Sequence, residues 1–364
     1  MRIHQIGPVL CAGDAVTNQI LEIDDCLAQW GFATSIYGSD ITCAPPGRTQ
    51  PDSAYGPYLD SSDDLLIYHY SAYCDNYKLF VESRNRKVLI YHNITPPQYY
   101  APYDAQYHSL CVLGRQILPH LSACDLALGV SDYNRQELVE AGFARERTSI
   151  LPLLLSAATS PNTPRRESLY GELKEKGCTN ILFVGRVAPN KAFEDLIKIF
   201  YAYQRYVDDS AHLYLVGARF LPTYDRALDT LVCRLGLAGS VIFTDRVPPT
   251  DLRSYYEAAD IFLCASLHEG FCAPLLEAMY YDVPIVARAT TAVPETLGQA
   301  GILYRTLSAP IVAEAIQLLM SDRELRARVI ARQRSRLADF SPSRVRSTLR
   351  SVLESVIGPI GIRE

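Results

Sequence analysis

The chain has 364 residues, 48% hydrophobic and 21% charged, with a net charge of −5 at pH 7. That length suits roughly two domains of ~150 residues, and the composition is that of an ordinary globular protein. No apolar run approaches the ~20 residues of a membrane span, the N-terminal MRIHQIGPVL lacks a signal-peptide pattern, and the acidic balance argues against a nucleic-acid binder, which needs a basic face.

In the first half, apolar runs predict strands at 2–7, 33–38, 65–69, 87–91, 126–130 and 148–153, alternating with helical patterns. This alternation implies parallel sheets covered by helices. Residues 1–155 carry 10 Lys and Arg against 17 Asp and Glu, whereas 156–364 carry 25 against 23. His92 closes the strand KVLIY and precedes NITPP, at a strand end where ligands bind in such sheets. Tyrosines crowd 91–107 (Tyr91, Tyr99, Tyr100, Tyr103, Tyr107), either as stacking platforms for a ligand or as packing. The ten cysteines include no C-x-x-C pair and fall mostly in apolar runs, as small buried residues in a reducing cytoplasm do. SAATSPNTPRRE, 156–167, breaks the pattern and reads as a linker. The expected organisation is an N-terminal domain at 1–155, a linker at 156–170, a second domain at 171–340, and a terminal helix at 341–364 packing back on the first domain.

In the second half the predicted strands are 180–184, 212–216, 240–244, 260–264, 284–287 and 301–304. ILFVGRVAPNKAFEDLIKIF, 181–200, ends a buried strand at Val184-Gly185, turns through Pro189-Asn190, and starts a helix with Phe193, Leu196, Ile197 and Phe200 on one face. Arg186 and Lys191 flank that turn. Two cations there suit a diphosphate, although most Lys and Arg are simply surface residues. HEGFCAPLLEA, 268–278, brackets a helix start with Glu269 and Glu277. Pro274 suits the first helical position, and neither Cys272 nor Ala273 caps well, so the helix N-terminus is a candidate anion site. The alternative is a solvated loop glutamate followed by an ordinary helix glutamate.

Gly185-Arg186-…-Lys191 followed by Glu269-x7-Glu277 resembles the signature of retaining glycosyltransferases of the GT-B fold, most closely glycosyltransferase family 4. VSDYNRQELVEAGF near 130–143 and DVPIVARATTAVPETLGQAGILY at 282–304 are similar to that family, while GDAVTNQ at 13–19 and YHNITPP at 91–97 resemble a bacterial branch of it. The resemblance implies two doubly wound Rossmann-like domains facing a central cleft. It also implies a donor that is a nucleotide-diphosphate sugar, UDP- or GDP-linked, and an acceptor that is a saccharide, glycoside or lipid-linked glycan. Arg186 and Lys191 would grip the diphosphate and Glu277 the ribose hydroxyls. Glu269, with Gly270, Phe271, Cys272, Ala273 and Leu276, would hold the sugar. Gly185, Phe243 on VIFTDRVP, and Gly13-Asp14 of the first domain would complete the donor site, and His92 would act at the sugar or acceptor hydroxyl. Cys272-Ala273 departs mildly from the Gly-like or Leu-like residues usual there.

These roles describe transfer with retention, in which the leaving diphosphate takes the acceptor's proton and the protein positions the reactants and stabilises charge. No second carboxylate sits as a nucleophile. No D-x-D triplet occurs, consistent with an enzyme that needs neither metal nor cofactor. A nucleotide-sugar epimerase, a phosphorylase and a non-catalytic sugar-nucleotide binder are the alternatives. The six arginines of RELRARVIARQRSRLADF, 323–340, spread round a helix instead of flanking an apolar stripe, so a membrane-surface helix is not expected. The expected enzyme is cytoplasmic, without stable membrane insertion. It should remain unbound in flotation with anionic liposomes at physiological salt, and recovery of most of the protein with the lipid would overturn this expectation.

Overall fold

The structure is a computed structural model that describes residues 1–153, 162–175 and 177–361. Half of the 156–167 segment, 156–161, therefore lies outside the described residues. The chain divides into two units, Met1–Gln98, Gln106–Leu154 and Phe340–Glu364 forming the first, and Tyr99–Ala105 and Leu155–Asp339 the second.

The first unit holds strands β1 (Arg2–Cys11), β2 (Ala33–Cys43), β3 (Thr49–Pro51), β4 (Leu65–Tyr70), β5 (Arg86–Tyr91), β6 (Leu126–Gly129) and β7 (Thr148–Ile150). They form one parallel sheet in the order β3-β2-β1-β4-β5-β6-β7. Helices α1 (Ala15–Gln29), α2 (Tyr77–Glu82), α3 (Ala105–Ile117) and α4 (Asp132–Glu140) connect them. Every residue of LLIYHY in β4 is buried, as a central parallel strand covered on both faces must be. β3 was not expected, because three residues ending in proline carry no strand signal. β1 runs past its expected end. Its pairing with β4 stops at Ile6↔Tyr68, so Pro8 lies where that side of the strand has no partner and its missing N–H costs no ladder bond. The sheet opens there, and Asn76 Nδ2 donates to Gly7 O across the gap at 2.9 Å.

The second unit holds β8 (Asn180–Val184), β9 (His212–Val216), β10 (Val241–Asp245), β11 (Ile261–Cys264), β12 (Ile285–Arg288) and β13 (Ile302–Tyr304), in the parallel order β10-β9-β8-β11-β12-β13. Its helices are α5 (Glu167–Glu175), α6 (Phe193–Tyr206), α7 (Pro222–Arg234), α8 (Pro249–Ala258), α9 (Ala273–Tyr280), α10 (Val293–Leu297), α11 (Ala309–Ser321) and α12 (Arg323–Leu337). α5 begins inside the stretch read as linker, because Leu169 and Leu173 stand one turn apart and are both buried. The Phe193, Leu196, Ile197 and Phe200 face of α6 is fully buried. In both sheets the strand order reverses beside the first strand, between β1 and β4 and between β8 and β11, the switch points where such sheets bind ligands.

α13 (Pro342–Ile357) belongs to the first unit. Val356 O accepts from the Arg86 guanidinium at 3.1 Å, and the Arg350 guanidinium lies over the Trp30 ring at 6.0 Å. Among the described residues no helix is long and apolar enough to cross a membrane.

The first unit encloses three histidines, His4 and His69 fully and His92 partly, in surroundings that disfavour the charged ring. His4 is fully enclosed by Tyr37, Tyr55 and Tyr58, and neither ring nitrogen has a hydrogen-bond partner. Burial lowers its pKa despite Asp64, whose carboxylate is 3.8 Å away. Burial also lowers His69 well below the ordinary value and His92 to about 3. Below pH ~6.5 the unfolded chain therefore takes up protons that the folded unit refuses, so stability is full above that pH and is lost as pH falls, by up to ~1.4 kcal/mol per pH unit for a fully buried histidine. Urea midpoints should drop between pH 7 and pH 5, and His4→Phe should flatten the dependence; equal midpoints at both pH values would contradict the burial of neutral rings.

Candidate functional site

The switch point of the second sheet gathers the loops after β8 and β11. Past β8, Gly185 N donates to Val216 O at 2.9 Å. Gly217, just past β9, lies so close that a Cβ on it would fall 2.1 Å from Gly185 O. Only glycine permits that approach, and it lets two neighbouring loops leave the sheet side by side. The chain then turns through Asn190 and enters α6 from Ala192 in a left-handed conformation, φ 51°. Asn190 is the clamp between the loops: its backbone O accepts from Leu267 N at 2.8 Å, and its Nδ2 donates to His268 O at 3.1 Å.

This clamp sets Lys191 against Glu269. The ammonium lies 2.5 Å from Glu269 Oε2, with the carboxylate nearly buried and the lysine partly so. Ser266 Oγ donates to Glu269 Oε1 at 2.8 Å, and Glu269 N lies 2.8 Å from Thr291 Oγ1. Burial alone would lower the Lys191 pKa, but the adjacent Glu269 charge outweighs it and holds the ammonium above the usual lysine value. The two residues expected to serve diphosphate and sugar are thus one ion pair.

Glu277 is buried one turn into α9, where it accepts from the Tyr256 hydroxyl at 2.6 Å. No side chain caps α9, in keeping with a helix start left open to an anion. Ala273 is the first helical residue and Pro274 the second, one position later than expected. Cys272 takes φ 71°, which explains why a Gly-like residue is usual at this point. Its thiol is hydrogen-bonded to Cys264, and that bond and burial push its pKa well up. Phe271 is buried and its O accepts from Thr296 Oγ1 at 2.6 Å; Gly270 is partly exposed beside it, and Leu276 is buried in the body of the unit.

Arg186 is exposed, its guanidinium 4.6 Å from the centroid of Phe220. Phe243 on β10 carries the Arg219 guanidinium at 4.7 Å. Gly13 and Asp14 lie in the first unit, after β1. Gly13 has φ 80°, and Asp14 caps α1 through its Oδ2, accepting from Val16 N at 3.0 Å and Thr17 N at 3.2 Å. The dense tyrosines are largely packing groups: Tyr91 and Tyr100 are buried, Tyr99 lies against His268 and Tyr103 against Tyr224. Sequence reasoning missed Asn190, Gly217, Tyr256, Ser266 and Thr291; all but Ser266, three residues from Glu269, act on a partner distant in the chain. The Cys264 and Cys272 sulfurs and a Glu269 oxygen lie within 4.8 Å of one another, a donor set suited to a soft cation. Lys191 already supplies the positive charge at that carboxylate.

Residues 166–336 match the family model Glycosyl transferases group 1. The matched residues make up most of the second unit. The chain is 28% identical over 265 residues to O-antigen chain mannosyltransferase B of Escherichia coli, covering 70% of this chain and 67% of that one. It is 26% identical over 227 residues to a GDP-mannose-dependent alpha-(1-6)-phosphatidylinositol monomannoside mannosyltransferase of Mycobacterium tuberculosis, covering 59% and 58%. Anabaena HepE, solved with UDP and glucose, superposes with a TM-score of 0.74 at 17% identity, over 98% of this chain and 100% of that one. At that identity the likeness concerns the fold, which is GT-B. Within the matched residues, Arg186, Lys191, Glu269 and Glu277 all stand at or beside the carboxyl edge of the β8–β11 pair.

Because Glu269 is nearly buried, removing its partner strands a charge, which costs ~3–5 kcal/mol in such settings. Lys191→Ala should therefore destabilise the second unit by ~3 kcal/mol in urea titration, and Lys191→Ala/Glu269→Gln should recover most of the loss. Additive losses in the double variant would mean that the two side chains do not depend on each other.

Proposed function

We propose that the protein is a retaining, family 4 hexosyltransferase that moves a sugar from a nucleotide-diphosphate sugar to a glycan or glycoside hydroxyl. The observation that carries this reading is the Lys191–Glu269 pair at the β8–β11 switch point, next to the uncapped start of α9. An incoming diphosphate gives Lys191 a second anionic partner and finds Arg186 exposed nearby. Glu269 is held by Ser266 and takes sugar hydroxyls, and Glu277, oriented by Tyr256, takes the ribose diol. Arg186 and Lys191 then neutralise the charge that grows on the leaving diphosphate, the task a metal ion performs in other enzymes. The reaction accordingly needs no metal and no cofactor. His92 hydrogen-bonds a hydroxyl of the donor sugar or the acceptor. The Escherichia coli and Mycobacterium tuberculosis relatives named above are mannosyltransferases, and the second is GDP-mannose-dependent, so GDP-mannose is the first donor to test, followed by UDP-sugars. A cytoplasmic site of action fits this donor class.

A panel of nucleotide sugars with and without saccharide acceptors tests the reading. Transfer should require an acceptor, persist in EDTA, and give a product with the donor's anomeric configuration by NMR. Turnover without acceptor marks an epimerase, no turnover with any donor marks a binder, and loss of activity in EDTA restored by zinc overturns metal independence. Arg186→Ala should cost ~3 kcal/mol of transition-state stabilisation, on the order of 100-fold in turnover. By calorimetry Glu277→Ala should weaken the free nucleoside diphosphate, while Glu269→Ala should weaken only the intact sugar donor; equal losses of nucleotide affinity would remove this division of labour.

A further inference from the structure

Three side chains on neighbouring strands of the first unit form one hydrogen-bonded row. Gln5 stands on β1, His69 on β4, and His92 directly after β5, and these strands are adjacent in the sheet. His69 Nε2 lies 3.0 Å from Gln5 Oε1, and His69 Nδ1 lies 3.0 Å from His92 Nε2. At the far end Gln5 Nε2 donates to Ile20 O of α1 at 3.1 Å. Gln5 and His69 are completely buried, and His92 is the partly exposed end of the row.

Donor and acceptor accounting settles where the protons are. The Ile20 carbonyl only accepts, so the amide NH2 of Gln5 faces it and Oε1 faces His69. Oε1 also only accepts, so His69 Nε2 carries a hydrogen. Burial keeps His69 neutral, which leaves its Nδ1 bare and requires the hydrogen of the next bond to sit on His92 Nε2. His92 is neutral as well, again through burial, so its Nδ1 keeps a lone pair. Among the described residues no other group is seen to hydrogen-bond that nitrogen.

The backbone around His92 is held equally firmly. His92 N donates to Tyr70 O at 2.9 Å, and Asn93 turns the chain sharply at φ 80°. Asn93 Nδ2 is fastened to Asn134 Oδ1 at 2.9 Å and Glu137 Oε2 at 2.8 Å. Arg115 braces the same Glu137 at 2.9 Å and the Ile94 carbonyl at 2.7 Å.

We propose that Gln5 and His69 are positioning residues that lock His92 in the Nε2–H tautomer, so that its Nδ1 is presented as a hydrogen-bond acceptor to a sugar hydroxyl. A bare nitrogen repels phosphate oxygen and takes O–H donors, so His92 serves a sugar hydroxyl and not the diphosphate. Its part in turnover rests on the glycosyl-transfer reading, whereas the tautomer itself does not.

The test is the imidazole 15N spectrum of the full-length, histidine-labelled protein at neutral pH. His92 should show a protonated Nε2 and an unprotonated Nδ1. Gln5→Leu and His69→Phe, each checked for folding by circular dichroism, should convert this to a tautomer mixture and lower kcat about 10- to 100-fold, the usual cost of losing a group that orients a functional side chain, with KM little changed. A protonated Nδ1 in the wild type, or an unchanged spectrum in both disruptive variants, overturns the proposal. The Nδ1 resonance should move on adding GDP-mannose if the hydroxyl is the donor's, or only on adding the saccharide acceptor if it is the acceptor's; a shift with GDP alone, or with none of these, overturns the hydroxyl assignment. The expected tautomer in a protein that turns over no nucleotide sugar would uphold the relay and sink the transfer reading.

Discussion

The ion pair between Lys191 and Glu269 is the constraint on which the second unit's switch point depends. A carboxylate as buried as Glu269 needs a cation and hydrogen bonds to remain charged, and each comes from a different part of the chain. Lys191 arrives from the loop after β8, Ser266 from the end of β11, and Thr291 from the loop after β12. The pair therefore staples loops that the parallel sheet only brings near one another. Asn190 and Gly217 are the backbone counterparts of that staple, one by bridging strands with amide and carbonyl groups, the other by the absence of a side chain.

The same economy appears in the first unit with uncharged groups. Its sheet interior accommodates Gln5 and His69 because their polar atoms satisfy one another in a row that ends on a helix carbonyl. Buried polar chains of this kind are stable only when every member is paired, and they then rigidify what they touch. His4, one residue from Gln5 but facing an aromatic enclosure, shows the contrasting solution. It is tolerated only while neutral.

The two cations at the β8–β11 edge are placed differently. Lys191 is balanced by Glu269, whereas the Arg186 guanidinium is exposed against the Phe220 ring. Cys272 carries the backbone strain of a left-handed turn in the middle of this region. Strain of that sort persists where the surroundings over-determine the conformation, here through the Cys264 contact and the Phe271 carbonyl bond from Thr296.

How much of this was legible in the sequence follows from the range of each interaction. Among the described residues, the alternating apolar runs marked twelve of the thirteen strands and the parallel α/β class, because burial on both faces of a central strand writes itself into consecutive residues. β3 escaped, since a three-residue edge strand buries too little to leave a pattern. Arg186, Lys191, Glu269 and Glu277 were visible as charges at strand and helix ends, where local signals are strong. Tertiary structure alone decided that Lys191 and Glu269 are partners, that Tyr256 orients Glu277, that Asp14 serves as a helix cap, and that Gln5 and His69 stand behind His92. Each of these depends on which strands lie side by side, and strand order in a parallel sheet is set by packing between residues tens of positions apart, not by any pattern within a strand.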